Sequence, residues 1–505
     1  MTDRQVGAAR PLYLVPFAVL AVAILLNPVG FIGGDADDLQ YLEASRCWLA
    51  NGPCLPHDHW QARWPIVAPL TVVIAMLGET RWTIALPSLA ASLACLALVY
   101  QLGQRLFDDR AACLAASLLA ISPVFALQAL APNVDTIELA LILGGFAALL
   151  QSRDDRRLIW PVLCGLSFAL AVQARETALA VGPVALVAFA MAHPPRTRSA
   201  HWLAAAAAFA LPFAIEAMVF ALQTGDPLYC RRLSLGHVGL QTTELQGRTR
   251  IDGLPFFNRE LIANWRHEPG LSLHWTIDGL ANLIVNPRTA GLFLILPFLW
   301  LMARHWLGDR RRQILRFLVA AAIVHAAIII YVLAIDPKPR TMLFELACVA
   351  LAVAALLAVL MRERPTTAKA LIGAIALIAG ANIISGYRSA TMETTAARWI
   401  GEDGARMETV RQTRRRLIFV PGGDRLAVIG SGRPALLVQV NNSCAGWLAE
   451  MGIDRRWLIV ERQAALGSYP GWLVERQAHL CQYRYADKRA LPQLRRVLGE
   501  REFSR

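Results

Sequence analysis

The chain has 505 residues, 56% hydrophobic and 17% charged, with a mean hydropathy of +0.43. Soluble globular proteins carry about 25% charged residues, so the composition argues against an ordinary cytosolic enzyme. The excess of 50 Lys+Arg over 37 Asp+Glu, a net +13, suits either nucleic acid or a membrane, and long apolar runs decide for the membrane without a nucleic-acid partner.

About 20 apolar residues cross the hydrocarbon core. Runs near 12–32, 83–103, 111–129, 135–150, 158–174, 177–193, 201–222, 289–307, 314–335, 341–361 and 368–386 give about eleven spans. The first has too long an apolar core for a cleaved signal peptide. The stretch 64–78 is apolar but short and holds Pro65 and Pro69, so an interfacial or re-entrant helix is expected there. From 388 to 505 the pattern changes. Residues 396–416 suggest a polar helix, and 417–422, 425–431, 435–442 and 456–461 suggest strands, with a helix between the last two. The Gly-Ser-Gly at 430–432 is expected to be a turn, because neither GxGxxG nor a Walker lysine accompanies it. The expected fold is mainly α: a polytopic membrane helix bundle over 1–387, with juxtamembrane helices in its first outer loop, followed by a small soluble α/β domain over 388–505.

Orientation follows the Lys/Arg bias of short loops. Arg4/Arg10, Arg105/Arg110, Arg153/Arg156/Arg157, Arg196/Arg198, Arg304/Arg310/Arg311/Arg312 and Arg362/Arg364/Lys369 mark one side. They alternate with acidic or mixed connections if 64–78 does not span. The N-terminus is then cytoplasmic, and loops 33–82 and 223–288 and the tail face outward, toward the periplasm if the membrane is a bacterial inner membrane. The tail is itself basic, with 20 Lys+Arg against 12 Asp+Glu, but long domains cross largely regardless of charge.

The nine cysteines contain no CxxC and no Cys/His metal spacing. Cys95, Cys113, Cys164 and Cys348 sit in apolar runs. Cys47 with Cys54, and Cys444 with Cys481, lie in polar stretches and would pair in an oxidising compartment, leaving Cys230 over.

Ionisable groups inside membrane helices are costly unless paired or hydrated, so each is a functional candidate. Asp135 and Glu138 open one helix at its outer end, Arg175 and Glu176 form an outer turn, Glu216 lies six residues from an outer end, and Lys338, Arg340 and Glu345 mark another outer start. His325 alone falls near mid-membrane. Glu176, Glu216 and His325 also suit the more ordinary role of interhelical hydrogen bonds or salt bridges. Asp35, Asp37 and Asp38 follow the first span, with Asp37 and Tyr41 on one helical face. Three close carboxylates raise a pKa, recruit a cation, or both; they also suit the start of a solvated helix. His57-Asp58-His59 fits a solvated loop or acceptor contacts better than a metal site. Trp265, His267, His274 and Trp275 fit the membrane interface or sugar stacking.

The order of these motifs resembles the membrane glycosyltransferases of the C superfamily, more narrowly the family 39 group that includes lipid A aminoarabinose transferases and protein mannosyltransferases. Asp37-Asp38-Leu39-Gln40-Tyr41 matches that group's acidic pair and tyrosine, and Arg63-Trp64-Pro65 its Pro-containing juxtamembrane helix. Ala85-Leu86-Pro87-Ser88, Gly103 to Phe107, Ser122-Pro123, Asn133-Val134-Asp135, Leu170 to Arg175 and Lys338-Pro339-Arg340 follow in the same order. Arg175 replaces a usual Lys, Glu176 a usual Gly, and Thr341 a usual aromatic.

The resemblance implies a polyprenyl-phosphate-sugar donor, an acceptor hydroxyl on a lipid, glycan or protein, and an inverting displacement beside membrane lipids. Asp37 would be the base, with Asp38 and Asp135 orienting it or the acceptor. Arg175, Arg340 and Lys338 would hold the donor phosphate, and Tyr41, Arg63 and Glu216 would line the substrate site. No obligatory cofactor is expected; if Mg²⁺ or Mn²⁺ binds, Asp37 and Asp38 are its expected ligands. A transporter or lipid flippase is the rival from another class, but no internal repeat is visible and most charges lie at outer ends rather than the midplane.

Overall fold

The computed structural model describes residues 11–27, 36–193, 198–233, 273–274, 276–335, 337–402, 418–420, 423–430, 434–440, 444–450, 456, 458–466 and 478–485. Asp35, Arg4, Arg10, Arg196, Trp265, His267, Trp275 and Ser431-Gly432 therefore lie outside the described residues, as do the side chains of Asp37 and Asp38. The chain divides into two compact units, one ending at Ile383 and the other running from Ile384 to Arg505 with a short piece at Phe31–Gly34.

The first unit is a helix bundle. Its helices are α1 (Val15–Leu26), α2 (Ala36–Asn51), α3 (Trp64–Leu77), α4 (Arg81–Leu106), α5 (Asp109–Ile121), α6 (Pro123–Gln128), α7 (Asp135–Asp154), α8 (Ile159–Ala174), α9 (Gly182–Ala192), α10 (Ser199–Thr224), α11 (Asp278–Val285), α12 (Leu292–Ala303), α13 (Asp309–Ala327) and α14 (Leu343–Glu363), with α15 (Pro365–Glu402) starting in it. Among the described residues, six helices are long and apolar enough to cross a membrane: 82–106, 135–154, 199–224, 309–332, 339–363 and 365–384. Most of the other expected spans are apolar helices of 10–17 residues, at 12–26, 159–174, 176–192 and 292–306. The run 111–129 is broken into α5 and α6, because Pro123 cannot continue the hydrogen-bond ladder of α5. The helix at 64–77 measures roughly 21 Å at 1.5 Å per residue, short of a core about 30 Å thick.

At the centre stands α14. It is apolar on every side and buried from Leu343 to Leu360, as expected of a helix surrounded by others. Its alanines at 347, 350, 352, 354, 355 and 358 let α5, α12 and α13 come close. The same small-residue logic joins α8 to α10. A Cβ at Gly165 would clash with the Ala205 carbonyl oxygen.

Where α7, α9 and α10 meet, His193 is fully buried. Its Nε2 lies 2.6 Å from Ser152 Oγ, its Nδ1 lies 2.9 Å from Arg198 Nη1, and its ring stacks on His201 at 4.8 Å. Ser152 donates to the Leu149 carbonyl, and Arg198 can only donate, so the neutral imidazole accepts at Nδ1.

The second unit is a five-stranded antiparallel sheet in the order β1-β2-β3-β5-β4, from β1 (Ile418–Val420), β2 (Gly423–Gly430), β3 (Pro434–Val440), β4 (Leu458–Leu466) and β5 (Ala478–Tyr485), with a helix at Cys444–Glu450. The four expected strands are present, and β5 is an addition, paired centrally between β3 and β4 through Val438↔Cys481 and Gln463↔Cys481. Cys444 and Cys481 form a disulfide, and Tyr483 donates to the Cys444 carbonyl at 2.8 Å. Of the expected polar helix at 396–416, residues 396–402 continue α15 and the rest lie outside the described residues.

Gly165→Ala should push α8 from α10 and cost about 1–3 kcal/mol; thermal unfolding in detergent would read this, and an unchanged midpoint would contradict the packing.

Candidate active site

Residues 175–177, which join α8 to the 3-10 turn Glu176–Val181, reach in turn α7, the segment before α3, and α7 again. Arg175 forms an ion pair with Asp135 at the start of α7. Glu176 accepts from Arg63 Nη2 at 3.3 Å, just before α3. Thr177 Oγ1 donates to Glu138 Oε1 at 2.6 Å, one turn into α7. Alternation of direction along these three consecutive residues ties the first loop, α7 and α8 together.

Each partner is held in turn. Arg63 Nη1 donates to Tyr41 Oη at 2.9 Å; Tyr41 is fully buried and Arg63 nearly so. Ser45 Oγ on α2 bonds the Tyr41 and Val67 carbonyls, fixing α2 to α3. Asp135 is placed by a knot that joins two of the collinear motifs: Ser88 Oγ donates to the Asn133 carbonyl at 3.0 Å and accepts from Asn133 N at 3.1 Å. The Asn133 side chain bonds Gln128 and accepts from Asp135 N. The second carboxylate oxygen of Asp135 is buried without a hydrogen-bond partner among the described residues.

His325 and Glu345 form a buried pair, Nδ1 to Oε1 at 2.7 Å. His325 sits in the last turns of α13, whose helical segment begins at Asp309 and runs on through a π-turn to Val332, beside the start of α14. The turn Pro339–Met342, carrying Arg340, packs against α6; Arg340 is half-buried and Lys338, just before it, is exposed. Glu216 accepts from Gln173 Nε2 at 2.8 Å, and Cys230 hydrogen-bonds the same carboxylate.

The described site residues Asp135, Arg175, Arg63, Tyr41 and Glu216 thus belong to connected elements at one end of the helices. Asp37 and Asp38 stand in the first turn of α2. The Tyr41–Arg63–Glu176 chain and the His325–Glu345 pair were not evident from sequence as pairs. The signals available were that Glu176, His325 and Glu345 are scarce charges in or beside apolar sequence, and that Tyr41 and Arg63 fall in the motifs shared with the resembled family. Among the described residues, no three His, Cys, Asp or Glu converge as a metal site. Cys47 and Cys54 are disulfide-bonded, and His57-Asp58-His59 forms a loop turn in which Asp58 Oδ1 accepts from Gln61 N at 2.9 Å.

Residues 65–219, just under a third of the chain, match the family model described as dolichyl-phosphate-mannose-protein mannosyltransferase. That segment holds Ser88, Asn133, Asp135, Arg175, Glu176 and Glu216. No curated protein matches the chain. Among solved structures, it is similar to the archaeal oligosaccharyltransferase AglB from Archaeoglobus fulgidus in complex with an inhibitory peptide and a dolichol-phosphate, at 15% identity and a TM-score of 0.46, covering 74% of this chain and 56% of that one. It is also similar to ArnT from Cupriavidus metallidurans bound to undecaprenyl phosphate, at 15% identity and a TM-score of 0.47, covering 79% of this chain and 74% of that one. The chain spans little more than half the length of the archaeal protein.

Asp135→Asn removes the charge that balances Arg175, whose side chain is 14% exposed, and should destabilise the protein by about 3–5 kcal/mol. Asp135→Leu with Arg175→Met should recover most of the loss in chemical denaturation; equal loss in single and double variants would show that the pair is not coupled.

Proposed function

We propose that this chain, with its mannosyltransferase-family match over residues 65–219, is an integral membrane glycosyltransferase of the C-superfamily type. Its donor is a sugar on a polyprenyl phosphate and its acceptor a hydroxyl of a lipid, glycan or protein. The reaction takes place on the outer, periplasmic side of a bacterial inner membrane. The observation that carries the proposal is the turn at 175–177, where cation and carboxylate from separate segments meet at one end of the helices. The Cys47–Cys54 disulfide on the α2 side supports an oxidising compartment for the first loop.

In the proposed step, Asp37 takes the acceptor's hydroxyl proton as that oxygen attacks the anomeric carbon from the face opposite the phosphate. The carbon–oxygen bond to phosphate breaks, and its electron pair leaves on the phosphate, so the anomeric centre inverts. The departing phosphate is weakly basic and requires no acid. Asp135 engages one Arg175 nitrogen, which pre-sets the guanidinium fork while its other N–H groups can meet phosphate oxygens. Arg340 and Lys338, at the turn before α14, supply further positive charge to the donor phosphate. Asp38 orients the acceptor beside Asp37. Tyr41, Arg63 and Glu216 shape the wall, Arg63 by holding the first loop to Glu176. A divalent cation, if bound, would sit on Asp37 and Asp38; the displacement does not require one.

General-base catalysis contributes about 10²–10⁴-fold. Asp37→Asn should therefore lower transfer by that factor in an assay with purified protein, polyprenyl-phosphate sugar and acceptor, with melting unchanged; full activity would remove the base assignment. Arg340→Ala should weaken donor use more than acceptor use, and unchanged donor KM and kcat would count against its role.

A further inference from the structure

The first outer loop encloses a cavity of about 200 Å³ that the displacement chemistry does not use. Trp48, Glu43, His57 and Gln61 line it, together with the Cys47–Cys54 disulfide and Pro56. Its walls are fixed before any ligand arrives. The disulfide closes one side. Gln61 is held from both ends, its Oε1 accepting from His57 N and its Nε2 donating to Gln40, each at 3.0 Å. From the segment after α10, Tyr229 Oη donates to the Pro56 carbonyl at 3.0 Å and braces the lip. A wall held this way spares a ligand the ordering cost of binding.

The chemistry selects the ligand. An indole face offers an apolar platform, while a carboxylate and an imidazole at the same rim offer hydrogen-bond partners. That combination fits a ring with an apolar C–H face and hydroxyls around its edge. The Glu43 carboxylate disfavours phosphate or another anion. The volume is below the roughly 300–1,000 Å³ of pockets for drug-sized ligands, too small for a lipid chain or folded peptide but adequate for one sugar ring. Position adds to this. Ala44 and Trp48 lie seven and eleven residues after Asp37 on α2, so position 37 shares their helical face, roughly 10–16 Å away along the axis at 1.5 Å per residue.

We propose that this cavity binds one sugar ring of a carbohydrate acceptor, with Trp48 stacking on the ring and Glu43 and His57 taking its hydroxyls, so that the acceptor chain runs along α2 toward Asp37. The use of the bound sugar rests on the transferase assignment above; the binding itself does not.

Saturation-transfer NMR on full-length protein in nanodiscs, without donor, with the methyl glycosides of glucose, galactose, mannose and arabinose, tests it. At least one glycoside should bind saturably. Trp48→Ala should weaken it at least tenfold and Glu43→Gln several-fold, with Trp48→Phe retaining part of the affinity. Trp82→Ala, at an exposed position on α4, should leave it unchanged, and melting midpoints identify any variant that fails to fold. No binding to folded wild-type protein, or equal binding by Trp48→Phe and Glu43→Gln with no loss in folded Trp48→Ala, overturns the proposal. Sugar binding without any transfer on adding donor would count against the transferase assignment and leave the cavity intact. Transfer without sugar binding would do the reverse.

Discussion

An ionised side chain among apolar helices costs several kcal/mol unless an opposite charge or hydrogen bonds meet it, and this requirement organises one end of the bundle. Arg175, Glu176 and Thr177 cannot be satisfied within their own short turn. They reach Asp135, Arg63 and Glu138 instead, and Arg63 passes the connection to the buried Tyr41. Helices that in a membrane gain little from burying apolar surface against one another are thereby held in a fixed register at their ends. That register places Asp135, from which α7 begins, beside a guanidinium from the end of α8.

The opposite ends of the helices are different in kind. From Glu345 to Arg362 along α14 is about 25 Å at 1.5 Å per residue, close to the thickness of the hydrocarbon core. There a cavity of about 430 Å³ is lined by Trp306, Arg310, Arg311 and Arg362 among others, and Asp108 takes Arg311 at 3.2 Å with Arg362 at 4.0 Å. A rim rich in arginine and poor in buried acid–base pairs is what the positive-inside bias produces. The mixed acid–base network belongs to the other end, so the two ends of the bundle differ in how their charges are held.

Much of this was legible because charge is scarce in apolar sequence, so that Asp135, Arg175, Glu176, Glu216 and Arg340 each stood out. Both disulfides were legible from cysteines in polar stretches. Pairing was less so. Which charge meets which depends on helix ends distant in sequence, and nothing local joins His325 to Glu345. The strand Ala478–Tyr485 was hidden because Gln482 and Arg484 interrupt its apolar pattern, although Gln482 is buried. The end of the apolar run near 386 suggested the end of a helix. Instead α15 continues to Glu402, because residues 387–402 contain neither Pro nor, before Gly401, Gly to stop it. Loss of hydrophobicity and loss of helix are separate signals.

The central claim is that oppositely charged groups from separate helices form one outward chamber that receives the lipid phosphate. A cryo-EM map of the protein with bound polyprenyl phosphate tests it most directly. The phosphate should lie within ion-pair reach, about 4 Å, of Arg175 or Arg340 and on the same side of the bilayer as Asp37. A phosphate held by Arg310 and Arg362 at the far ends of the helices, with the Arg175 turn walled off from it by apolar side chains, would contradict the account.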